Sequence, residues 1–222
     1  MVSLAVEFSY RRATLADIEF IVAAIIEAER SGGGFTAYER MFDILPDELP
    51  ATLRTLLEED MPGSELCCDN FLLAIDGTDP VGCLATWIEA EGASPSHIIR
   101  ANMLAYVLGA ERWSLARQRL AVIHEIDIPR ESGTMQIEAV YVRPSYRGRR
   151  IVAGLVNEAI ARCRIDHPGV RKAQILSVVE NETSSKAFLN AGFSIVKQTR
   201  ATNPAVSSLF PGTGRVLWEK VL

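Results

Sequence analysis

The chain has 222 residues and a mass of 24.4 kDa, with 48% apolar and 23% charged residues. That balance suits one globular domain and excludes a disordered, collagenous or coiled-coil chain. A net charge of −5 argues against a general nucleic-acid binder, because no excess positive field exists to displace counterions. No apolar run approaches the ~18 residues of a membrane span. The opening Met1-Val2-Ser3-Leu4-Ala5-Val6-Glu7 carries neither a basic stretch nor a long apolar one, so no signal peptide and a cytoplasmic location are expected.

In chain order, residues 6–12 read as a short strand. A helix opens at Thr14-Leu15-Ala16-Asp17, an acid three residues after the cap. Ile18, Val22, Ile25 and Ile26 follow at helical spacing, and Gly32-Gly33-Gly34 ends the run. A second helix is expected from Asp47 to Asp60, with Leu49, Leu53, Leu56 and Leu57 on one stripe. The apolar runs Phe71–Ile75 and Val81–Ile88, separated by Asp76-Gly77-Thr78-Asp79-Pro80, predict a β-hairpin.

Residues 91–133 are expected to form a helical insertion into a domain spanning 1–222. Ser94-Pro95 reads as a helix opening, Gly109 as a break, and Ala110–Leu120 as a second helical piece. Beyond it, Met135–Val142 reads as a strand and Arg149–Cys163 as a helix. Ala173–Val179 reads as a strand, Thr183–Asn190 as a short helix stopped by Gly192, and Arg215–Val221 as a last strand. The mixture gives an α/β or α+β class.

The four cysteines, Cys67, Cys68, Cys83 and Cys163, contain no Cys-x-x-Cys and are expected reduced. His97, His124 and His167 show no metal-ligand spacing, and no metal is expected. Neither Gly-x-Gly-x-x-Gly nor Gly-Lys-Ser/Thr occurs, which disfavours a dinucleotide or P-loop enzyme.

The chemistry concentrates in two segments. Val140-Tyr141-Val142-Arg143-Pro144-Ser145-Tyr146-Arg147-Gly148-Arg149-Arg150-Ile151-Val152 is a strand, a turn and a helix start with four arginines. A helix N-terminus offers unpaired N–H groups and a positive dipole end, which suit a phosphate, and arginines add forked donors. The other reading is a solvated basic helix start whose arginines pair with carboxylates. The second segment runs from Asn181 to Phe193, a polar loop, a short helix and a glycine stop, followed by a strand.

Together the segments resemble the GCN5-related N-acetyltransferase (GNAT) superfamily. Val142-x-Pro144-x-x-Arg147-Gly148 looks like the exit of that family's fourth strand. Asn181-x-x-Ser184-x-x-x-Phe188-x-x-x-Gly192-Phe193 is similar to its second signature. The resemblance implies a mixed, mostly antiparallel sheet in which the strands at 135–142 and 173–179 are parallel and splay apart. It implies acetyl-CoA as co-substrate, and transfer to a primary amine by direct attack in a ternary complex. Val140, Tyr141 and Val142 would meet the pantetheine arm and acetyl carbonyl. Arg147, Gly148, Arg149, Arg150, Ile151 and Val152 would present N–H groups to the pyrophosphate. Asn181, Ser184 and Phe188 would lie near the cofactor.

Two departures from the family pattern stand out. Arg150 and Val152 occupy positions where the family carries small residues that let backbone approach phosphate. Phe188 stands where many members have a tyrosine that protonates the leaving thiolate; Tyr141, Tyr146, Ser184 or a water are substitutes. Glu138 is the first candidate base, two residues before Val140 and on its face by strand alternation. It reads equally as an exposed strand carboxylate or an ion-pair partner. His124, Glu125 and Asp127 form a second cluster, lining an amine site or solvating a loop. The acceptor is expected to be a small-molecule or peptide amine, with no nucleic-acid or membrane partner. The 91–133 segment fits either an acceptor site or a homodimer interface. The alternative is a catalytically weak acyl-CoA-binding protein of the same fold.

Overall fold

The computed structural model describes residues 8–92 and 94–222, so residues 6 and 7 of the first expected strand lie outside it. Seven strands form one sheet in the order β1-β2-β3-β4-β5-β7-β6. These are β1 (Ser9–Arg12), β2 (Phe71–Asp76), β3 (Asp79–Ile88), β4 (Met135–Val142), β5 (Lys172–Val178), β6 (Ser194–Arg200) and β7 (Gly214–Val221). All neighbours run antiparallel except β4 and β5. The expected hairpin is β2–β3, tightened to the two-residue turn Gly77-Thr78. The exposed strand β6 is the strand expected after the Gly192 stop, whereas the short helices α2 (Ala37–Phe42) and α7 (Val206–Leu209) were not foreseen from the pattern.

One face of the sheet carries α1 (Ile18–Arg30), α3 (Leu49–Glu58) and α4 (Ser96–Ile123). Ile21, Val22, Ile25, Leu53, Leu56 and Leu57 make this layer's core with Phe71, Leu73 and Cys83. The other face holds α5 (Ile151–Asp166) and α6 (Glu182–Asn190), whose Leu155, Val156, Ile160 and Phe188 pack on Leu84, Ile137, Ile175 and Trp218. Asp17 accepts both guanidinium arms of Arg11 at 2.7 and 2.8 Å and the Thr14 N–H at 2.9 Å, fixing the entry to α1 as the capping pattern implies. Within the 91–133 segment, α4 is interrupted at Gly109 (φ +80°, ψ 170°), where the break was expected.

The parallel β4–β5 pairing lasts three residues, Met135–Ile137 against Ala173–Ile175. It ends where β4 bulges. Ala85 faces Glu138 and Cys83 faces Tyr141, so Ala139 and Val140 together oppose Leu84. Ala139 takes φ +49°. A bulge raises local twist and turns the strand away from its former partner. Meanwhile β5 stays laddered to β7 through Val178. The two parallel strands therefore separate into a wedge.

Candidate functional site

The wedge opens into a cavity of about 780 Å³. Its floor is made by Glu138, Ala139 and Val140 of β4 and by Ile175–Val178 of β5, and Asn181, Ser184 and Phe188 line it from α6. Glu138 does not reach the cavity by simple alternation with Val140, because the bulge interrupts the period of two and three consecutive β4 residues line it. From Glu138 onward β4 has no ladder partner on β5, so backbone polar groups around Val140 are available on that side.

The α4 segment forms the roof, contributing His97, Arg100, Ala101, Leu104, Trp113, Leu120 and Ile123. The segment that carried no motif thus supplies one wall of the cavity. Of the second cluster, His124 and Asp127 line the cavity. Glu125 turns instead to the Thr202 and Asn203 N–H groups at 2.7 and 3.1 Å.

The basic loop leads from β4 to α5. A 3₁₀ turn at Pro144–Tyr146 is followed by Gly148 at φ +80° and Arg150 at φ +60°, ψ 22°, the N-cap of α5. No side chain caps that helix, so its first N–H groups have no intrahelical partner. Arg143, Arg147, Arg149 and Arg150 are all exposed, and among the described residues none forms an ion pair with a carboxylate. Arg143 lies over the Phe20 ring, Arg149 over Tyr146, and the Arg147 Nε donates to the Val142 carbonyl at 3.2 Å. The reading of these arginines as carboxylate partners therefore fails. An uncapped helix start with four exposed guanidinium groups free of carboxylates fits an anionic pyrophosphate. Arg150 adopts the left-handed backbone that a glycine would take, and Val152 packs against the α5-side core. The loop thus keeps a turned shape with a larger residue in it.

Asn181 Oδ1 accepts the Ser184 N–H at 3.0 Å and so caps α6. Phe188 is 3% exposed and meets Trp218 edge-on at 5.8 Å. Of the substitute proton donors, Tyr141 packs on Phe20 and the Tyr146 hydroxyl donates to Asp76 at 2.9 Å. Ser184 alone of those three side chains lines the cavity. Tyr38, not foreseen, lines it too; burial pushes its phenol far above the ordinary range.

The cavity is rich in charge. Glu138 is ion-paired with Arg130, and the two side chains are only 15% and 10% exposed. Arg130 also lies over Trp87 at 5.3 Å. Burial depresses the Arg130 guanidinium to about 10, Glu65 opposing that shift and Arg100 adding to it. Arg100 is ion-paired with Glu65. Burial pushes Glu65 up, but Arg100 and Arg130 outweigh it and hold the carboxyl below its ordinary value. Arg215 reaches Asp127 at 3.9 Å and lies over Phe210, and burial lowers it as well. Glu29, Glu89, Arg100, Arg130 and Arg215 were all missed in the sequence. Two of them left a signal: Glu29 continues the Ile18–Val22–Ile25 stripe one turn on, and Arg100 lies a turn before Met103 and Leu104.

A bulged fourth strand parting from a parallel fifth, with a basic turn at the following helix, defines an acyltransferase-type fold. The family model described as the acetyltransferase (GNAT) family matches residues 38–193, and the chain belongs to that family. No curated relative matches the chain in sequence. Among solved structures it is similar to a polyamine N-acetyltransferase of Drosophila melanogaster that forms N-acetylagmatine (TM-score 0.56, 12% identity, 97% of this chain and 100% of that one). It is also similar to an N-acetyltransferase of Staphylococcus aureus Mu50 (0.56, 13%, 96% and 100%). A ribosomal-protein-alanine N-acetyltransferase of Brucella melitensis gives 0.52 at 15%, covering 96% and 99%. At such identities the likeness is one of fold. Among the described residues no helix is long and apolar enough to cross a membrane.

Proposed function

We propose that the protein transfers an acetyl group from acetyl-CoA to a primary amine bound beneath α4. The observation that carries this reading is the β4–β5 wedge, which opens into the cavity lined by Val140, Asn181, Ser184 and Phe188. Acetyl-CoA supplies the thioester. The Arg147–Val152 turn holds its pyrophosphate, and Val140–Val142 offer backbone groups to the pantetheine arm and acetyl carbonyl. N–H groups aimed at the carbonyl oxygen stabilise the charge that develops there on attack. The cavity volume falls in the range of small-molecule sites, roughly 300–1,000 Å³, which favours a small amine over a folded protein surface. The relatives' acceptors, a polyamine and a protein alanine, differ from each other, so the acceptor here is identified by assay. Glu138 reaches the cavity, and acts as base only when Arg130 releases it.

The test measures coenzyme A release over a panel of primary amines, with acetyl-CoA affinity measured by calorimetry. Turnover with at least one amine is expected. Binding should weaken with added salt and with Arg147→Ala, because the contacts are charged and exposed. Unchanged affinity in folded Arg147→Ala would overturn the placement of the pyrophosphate. Tight acetyl-CoA binding with no turnover on any amine would favour an acyl-CoA-binding protein, a reading that Phe188 supports by having no proton to give.

A further inference from the structure

Resting on the acetyl-transfer reading, we infer that Glu29, near the C-terminal end of α1, receives the acceptor's ammonium group and removes its proton. Four carboxylates line the cavity: Glu29, Glu89, Asp127 and Glu138. Three are engaged. Glu89 accepts the Trp87 indole N–H at 3.1 Å and the Ser96 N–H at 3.0 Å. Asp127 faces His124 at 3.4 Å and Arg215 at 3.9 Å. Glu138 is held by Arg130. Among the described residues Glu29 makes neither a hydrogen bond nor an ion pair, so it is the lining carboxylate left to meet a ligand.

The charge balance of the whole cavity, rather than the three arginines nearest Glu29, favours a cation. The charged and titratable groups facing Glu29 are Arg100 from α4, Glu65 from the connection between α3 and β2, and Arg215 from β7. Arg130 from the segment before β4 and Tyr38 from α2 complete the set. Across the cavity and its wall, the carboxylates of Glu29, Glu65, Glu89, Asp127 and Glu138 outnumber the guanidinium groups of Arg100, Arg130 and Arg215. An ammonium ion offsets part of that excess. Burial raises the Glu29 carboxyl above its ordinary value, and the three arginines oppose the shift without cancelling it. A carboxylate so shifted is a better match to an amine than an ordinary exposed glutamate.

The step balances as follows. The carboxylate of Glu29 takes one proton from the bound ammonium, leaving the neutral amine. The nitrogen lone pair forms the C–N bond to the acetyl carbon, and the carbonyl π pair moves to oxygen. When that pair returns, the C–S bond breaks and its electrons leave with the coenzyme A sulfur. The second nitrogen proton goes to that sulfur, and the proton on Glu29 returns to solvent.

Wild type and Glu29→Gln are compared on the best amine of the panel, with acetyl-CoA affinity measured in parallel. The expected result is a fall in kcat/KM of about 10²–10⁴-fold with acetyl-CoA affinity unchanged. The wild-type rate should rise with pH through the Glu29 pKa, because the deprotonated form acts, and that limb should vanish in Glu29→Gln. Glu29→Asp should recover part of the rate and keep the limb. A folded Glu29→Gln that binds acetyl-CoA and keeps the wild-type rate and pH limb overturns the inference alone. A wild type that turns over no amine overturns the acetyl-transfer reading and this inference with it.

Discussion

Arg150 is the residue at which backbone conformation and ligand chemistry meet, and two substitutions separate them. It caps α5 at φ +60°, ψ 22°, with no side-chain cap bond. A residue with a Cβ in that conformation costs about 1–2 kcal/mol. Arg150→Ala keeps the Cβ and therefore the strain. Arg150→Gly removes it, but gives back about 0.5–1 kcal/mol through the looser unfolded chain. The glycine variant should therefore exceed the alanine variant by about 0.5–1 kcal/mol, or roughly 1–4 °C in Tm for a chain of this size. Thermal unfolding of both, at one pH and without ligand, measures the difference. Both variants lack the Arg150 charge, so comparing their acetyl-CoA affinities isolates the backbone, and Arg150→Gly should bind at least as tightly. An alanine variant as stable as the glycine variant, or more so, would refute the strain argument.

Glu138→Gln removes the carboxylate ion-paired with the buried Arg130 and leaves it only the more distant Glu65 and Glu89, and breaking a buried pair costs up to about 3–5 kcal/mol. Its Tm should fall clearly, and a second change, Arg130→Met, should restore much of the loss; an unaltered Tm would refute the pairing. Phe188→Tyr places a hydroxyl at the cavity edge beside Trp218, and kcat should be equal to or above wild type. A large fall in kcat in a folded Phe188→Tyr would show that a donor is not wanted there.

The second half of the fold was legible because its signals are local. The alternation in Met135–Val142, the stripe Val152–Leu155–Val156–Ala159–Ile160 and the Gly192 stop each depend on neighbours a few residues away. The bulge at Ala139–Val140 was not legible, since neither residue is a glycine and only the partner strand reveals the mismatch. The strand β6 was legible only through the Gly192 stop before it, because Ile195 and Val196 are both exposed on a sheet edge and show no buried face. The cofactor segment could be read as a motif because one continuous stretch builds it. The rest of the cavity draws Glu29 from α1, Arg100 from α4, Glu138 from β4 and Arg215 from β7, and no spacing rule joins residues that far apart.

The charges on α4 explain how an inserted segment can hold a site in shape. Arg100 fastens its first half to the buried Glu65. After the Gly109 break, Arg112 grips Glu48 through both guanidinium arms at 2.7 and 3.0 Å, and Arg119 donates to the Arg40 carbonyl at 2.6 Å. The last two contacts are exposed and worth little each. They nevertheless fix the direction of the helix, while Met103, Leu104 and Ala116 supply the burial. A roof tied at both halves to α2, α3 and the loop before β2 presents His97, Arg100, Leu104 and Trp113 to the cavity in one arrangement. In the proposed reaction, acceptor choice therefore falls to the side chains of α4, opposite a wedge that β4, β5 and α5 build without it.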